Sequence, residues 1–292
     1  LLIKNTTSSE SWQLLDSTRS PFNNVDDVLF PNSSSAEVTT SAVTTEFLSD
    51  GFKIRAAAGN TNDSGQTYIY MAFKGSYSDH VSPLNDTGSI DSRVKANPDK
   101  GFSIVSYTGN GTSGATIGHG LSSAPKMIIV KNRTTAGADW PVYHEDTGNT
   151  GATYLNTTAA FATDSTRWNN TSPTSTVFSV GNGQGVNHSS ASLIAYCFSE
   201  VAGYSKIGSY QNNNSTSGVT VTTGFRPAFI ILKCTDAGER WFILDNARQV
   251  NNVSPPSTAW LVPNDAVAEG ANGATTATID FLDNGFQIKT TN

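Results

Sequence analysis

Two stretches carry the same arrangement of side chains that could do chemistry. "ESWQLLDSTRS" (Glu10 to Ser20) and "ERWFILDNARQ" (Glu239 to Gln249) each place a Trp, an Asp four residues later and an Arg three residues after that. Such a set could serve a sugar, with the Trp face against the ring and Asp and Arg on its hydroxyls. The simpler reading is structural. Trp12 and Trp241 fill a core from a strand, Asp16 and Asp245 end that strand and accept turn N–H groups, and Arg19 and Arg248 pair with those carboxylates. A third stretch, "DWPVYHED", keeps Trp140 but has His144 in place of the Asp and no matching Arg. Drift of that kind fits a structural marker better than an active site.

Other chemistries find little support. The four histidines, His80, His119, His144 and His188, have no His, Cys or carboxylate at metal-ligand spacing, so no metal or cofactor is expected. His144-Glu145-Asp146 is the densest polar cluster and reads as a solvated strand end. No carboxylate pair recurs from one repeat to the next as a glycosidase pair would, and neither a nucleophile elbow nor a Walker loop is present. "GNGQG" (Gly181 to Gly185) follows a strand but opens no helical pattern. Several Asn-x-Ser/Thr triplets, for example at Asn5, Asn110, Asn132, Asn156, Asn187 and Asn252, are chance products of an Asn/Ser/Thr-rich chain. Trp168 in "TRWNNTSPTS" and Trp260 in "STAWLVPN" lie in polar, turn-rich surroundings. They are the ligand-binding candidates, as exposed aromatics for a glycan or another subunit.

The elements that must position these residues are repeated. Lys4, Lys131 and Lys233 align, and Trp12, Trp140 and Trp241 follow them by eight or nine residues. "EFLSDGFKI" matches "DFLDNGFQI", "TYIYMAF" matches "SLIAYCF", and "FSIVSYTGNG" matches "YSKIGSYQNN". A unit of about a hundred residues is thus used three times, with 101 residues from Trp140 to Trp241 and 128 from Trp12 to Trp140. Residues 1–75 form a first unit without its front part, 101–200 a second, and 201–292 a third without its last strand. The Ser-, Asp-, Pro- and Gly-rich residues 76–100 form a linker or long loop. The missing strand leaves an edge to be paired by further chain or by a neighbouring subunit.

Inside a unit the runs are short, rich in Ile, Val, Tyr and Phe, and separated by Gly/Asn/Asp/Ser/Thr turns. No 11-residue window carries a helical stripe. The expected fold class is all-β, with tandem antiparallel β-sandwich or jelly-roll modules. Charged residues make up only 14% of the 292, and the net charge is −6. No Lys/Arg cluster stands out against that balance, so nucleic acid is not an expected partner. The absence of an 18-residue apolar run argues against membrane insertion. "LLIKNTTSS" lacks both the apolar length and the cleavage site of a signal peptide, and there is no initiator Met; an internal piece of a longer product is the expectation. Cys197 and Cys234 sit in apolar runs and read as buried free thiols, with a disulfide between them as the alternative.

The blocks "GFSIVSYTGNGTSGATIGHGLSSAPKMIIVKN", "WPVYHEDTG", "YLNTTAA", "RWNNTSPTSTVFSVG" and "YSKIGSYQNNNSTSGVTVTTGFRPAFIILK" resemble a repeated domain of unassigned function. It occurs in virion structural proteins of marine tailed bacteriophages, often labelled tail fibre or lectin-like. "DSTRSPFNNVDDVLFPNSSSAE" through "TYIYMAF" is similar to the module that alternates with it. The resemblance spans nearly all of Leu1 to Asn292. It implies a concanavalin-like sandwich, a place on the virion outside the cell, and no catalytic residues. The expectation is a non-enzymatic tail fibre, spike or surface decoration, a homo-oligomer (a trimer being one form) bound to other virion proteins and to host-surface glycan. The alternatives are a polysaccharide-degrading tail enzyme and a ligand-free filament or capsid-surface subunit.

Overall fold

A computed structural model describes residues 1–55, 60–75, 81–213, 215, 217–248, 260–270 and 279–289. His80 and Asn252 lie outside the described residues. The fold is all-β. Among the described residues, helix is confined to the single turns Ser165–Trp168 and Gln184–Asn187 and two 3-10 turns, and the paired strands run antiparallel.

The largest sheet has eight strands. Their order is Ala162–Thr163, Gly148–Tyr154, Pro141–His144, Met127–Asn132, Ser192–Phe198, Phe102–Thr108, Ser92–Asn97 and Leu84–Asn85. Its central strand explains why "SLIAYCF" is apolar throughout rather than alternating. Successive side chains point to opposite faces, and both faces are covered. Leu193, Ala195 and Cys197 join a cluster with Ile128, Val130, Ile117 and Phe178. Ile194 and Tyr196 join a different one with Trp140, Leu155, Leu29 and Trp241. The second cluster draws on all three repeats.

Register repeats along with sequence. Lys4 stands opposite Ile69, and Lys131 opposite Ile194. The strand Phe229–Lys233, their counterpart, pairs with Trp241–Asp245 and with no other strand among the described residues.

Three expectations need correction. Residues 84–85 and 92–97 of the expected linker are strands of the large sheet, because "SRVKAN" sends Val94 and Ala96 into the core despite its polar setting. Gly101 closes the following turn at φ +63, where an added Cβ would stand 2.3 Å from the Ser199 carbonyl oxygen. Residues 204–210, matched in sequence to the strand Phe102–Thr108, form no strand. Cys197 is a buried free thiol, pushed up to about 12 by burial, but Cys234 is exposed and also free. Cys234 follows the strand that lacks a second partner; its counterparts Asn5 and Asn132 are fully buried beside paired strands.

Candidate functional site

The repeat markers converge on the contacts between repeats. Trp12, Trp140 and Trp241 are buried, and each indole N–H donates to a backbone carbonyl of another repeat. Trp12 Nε1 reaches the Val262 oxygen, Trp140 Nε1 that of Ser33, and Trp241 Nε1 that of Tyr154, each at 2.9 Å. The aligned lysines follow the same route. Lys4 Nζ donates to the Ala266 carbonyl at 3.2 Å, Lys131 Nζ to Ser34 at 3.0 Å, and Lys233 Nζ to Thr158 at 3.1 Å. A third rung is backbone alone: Glu37 N to Arg133 O, Phe161 N to Thr235 O and Glu269 N to Thr6 O. The first repeat therefore clasps the third, the third the second, and the second the first. The contacts close into a cycle within one chain.

Burial of an ammonium is costly unless its protons are spent. Lys4 meets this with further bonds to the carbonyls of Asn5, Ser8 and Glu10. Lys131 donates also to Ala138 O at 2.6 Å and lies over the Trp140 ring, 5.6 Å from its centroid. Burial still lowers both to about 8, against the opposing charges of Glu10 and Asp265 for Lys4 and of Asp139 for Lys131. These amines are framework, held by carbonyls on all sides.

The Asp–Arg pairs are built identically in the first and third repeats. Asp16 Oδ1 accepts from the backbone N–H of Thr18 and Arg19, and Asp16 Oδ2 from Arg19 Nε at 2.6 Å. Asp245 Oδ1 accepts from Ala247 and Arg248, and Asp245 Oδ2 from Arg248 Nε at 2.7 Å. Arg19 goes on to Glu37, and Arg248 to Glu269. In the second repeat His144 takes the Asp's place. Its Nδ1 accepts from the Asp146 backbone, and burial lowers its pKa against the charges of Asp146 and Glu145. Glu145 pairs with Lys126 across the surface.

Trp168 and Trp260 are not exposed aromatics. They are 1% and 3% exposed. Trp168 ends its helical turn just before Asn169 and Asn170, whose φ values of 53 and 50 reverse the chain and leave the indole inside, edge-on to Tyr143. Trp260 sits edge-on to Phe242. The polar neighbours that suggested exposure belong to the turns, and the rings belong to the core. His119 is buried as well: Nδ1 accepts from Leu121 N, which leaves the Nε2 proton for Thr174 O, and burial lowers its pKa. No group of three or more His, Cys, Asp or Glu able to hold a metal occurs among the described residues.

One feature escaped sequence reasoning. A cavity of about 80 Å³ opens in the second repeat between Gly137–Asp139, Tyr154, Arg167 and Gln184–Gly185. Its far wall is the tail of "GNGQG", whose glycines hinted at close packing but not at what they pack against.

The family profile of DUF7483, described as a domain of unknown function, matches residues 1–76 and 79–292. No curated protein and no solved structure matches the chain.

Proposed function

This chain belongs to the DUF7483 family, and from its closed cycle of repeats we propose that it is a non-enzymatic structural component of a bacteriophage particle. Its units are β-sandwiches of jelly-roll type, and it serves as a tail fibre, spike or surface decoration. It assembles as a homo-oligomer with other virion proteins, outside the cell, and attaches the particle to host-surface glycan.

The observation that carries this reading is the use made of the most chemically suggestive residues. Trp12, Trp140, Trp241 and the aligned lysines donate to carbonyls of a neighbouring repeat. They hold a body together rather than face a substrate. The polar, weakly charged composition and the resemblance to phage virion repeats support the particle assignment. Antibodies to the purified protein should label intact particles in electron micrographs and block their adsorption to host cells. Unlabelled particles would overturn the assignment. Release of reducing ends from host polysaccharide would favour the enzyme instead.

A further inference from the structure

We propose that the cavity beside Tyr154 is a binding site for a single neutral pyranose unit; this rests on the glycan-attachment reading and gives it a location. The cavity brings together polar groups whose bonding capacity is unspent. Asp139 Oδ1 accepts from Asn156 at 2.7 Å, and its Oδ2 has no hydrogen bond among the described residues. Arg167 forms an ion pair with Asp164, 3.0 Å from Nε, lies over the Tyr154 ring at 5.6 Å, and lines the cavity. Gln184 and Tyr154 also line the cavity. One carboxylate acceptor beside a guanidinium and an amide is the complement of vicinal hydroxyls, which both donate and accept.

Size and charge narrow the ligand. A water occupies roughly 10–15 Å³ of such space, so about 80 Å³ holds the polar edge of one sugar ring and is too small for a nucleotide or a peptide strand. Arg167 is already paired with Asp164 and Asp139 lies beside it, so the cavity has no cationic excess for a uronate or phosphate, which favours a neutral sugar. Glycine keeps the space open: a Cβ on Gly185 would stand 3.1 Å from Pro141 Cδ and 3.5 Å from Arg167 Nη1.

The walls are fixed before any ligand arrives. The Ala138 carbonyl accepts from Lys131, and the Tyr154 carbonyl from Trp241 of the third repeat. A site held on both sides loses little entropy on binding.

The test is saturation-transfer NMR of the whole protein with methyl α-glucopyranoside, methyl α-mannopyranoside and methyl α-galactopyranoside, beside methyl glucuronide and inorganic phosphate. Binding of intact host polysaccharide is followed in parallel. A neutral glycoside should bind with a Kd on the order of millimolar. Asp139→Asn and Arg167→Gln, checked for unchanged melting, should each weaken it by about tenfold. Equal binding by wild type and both variants would overturn the site, as would phosphate or glucuronide binding as well as the neutral sugars. Retained polysaccharide binding without any response to the glycosides would overturn the site and leave glycan attachment standing elsewhere. Loss of both would remove the attachment reading too.

Discussion

The Asp–Arg–Glu triads of the first and third repeats have almost the same local geometry and very different surroundings. Asp16 and Arg19 are buried, with Glu37 at their edge, and the Tyr196 hydroxyl of the second repeat donates to Asp16 Oδ2 at 2.8 Å. Glu37 also takes a two-pronged contact from Arg133, at 2.9 and 2.5 Å. Asp245–Arg248–Glu269 keeps the internal bonds, but its side chains are 13–24% exposed. The residue at the position of Arg133 is Thr6, which offers Glu269 only a carbonyl for its backbone N–H. Sequence writes the turn, and the neighbouring repeat decides how much it weighs.

Removing the first carboxylate should cost most. Asp16→Ala would leave the buried Arg19 with Glu37 as its one remaining carboxylate and strip its Nε of a partner, destabilising by about 3 kcal/mol, visible as a lower urea midpoint. Acid should probe the same contrast. Burial pushes Asp16 up, but the Arg19 charge and the bonds from Arg19 and Tyr196 outweigh it and hold the carboxyl at about 2. A depressed carboxylate adds stability above its unfolded value near 4, and loses that contribution as pH falls through 2. Unfolding curves between pH 5 and 2 should show a loss of ~2 kcal/mol that Asp16→Asn lacks. Tyr196→Phe removes one donor from the buried carboxylate and should cost about 1.5 kcal/mol. Asp245→Ala should cost about 1 kcal/mol, with an unfolding curve near that of wild type. An Asp245→Ala loss equal to that of Asp16→Ala would erase the distinction between the triads.

Much of the fold could be read locally. The Lys–Trp–Asp spacing located the repeats, and the Asp16–Arg19 and Asp245–Arg248 pairings follow from residues three apart. What failed was everything decided at long range. Trp12 finds its acceptor 250 residues away, and no period in the sequence says which repeat will supply it. Trp168 is flanked by polar residues yet buried, because two αL asparagines turn the indole inward, a local geometry that composition does not carry. Ser92–Asn97 has the polar composition of a linker, and only the alternation of Val94 and Ala96 marks it as a strand. The cavity was invisible because Asp139, Arg167 and Gln184 meet only when three turns are folded against one another.

The Trp12 clasp also sets an order of events during synthesis. Val262 leaves the ribosome 250 residues after Trp12, which at 5–20 residues per second is roughly 12–50 s. Throughout that interval the first repeat carries an uncovered indole and a lysine with one of its carbonyls still unmade. The nascent chain is therefore open to capture by a sister chain's third repeat, and crowded translation should yield exchanged dimers that dilute translation does not.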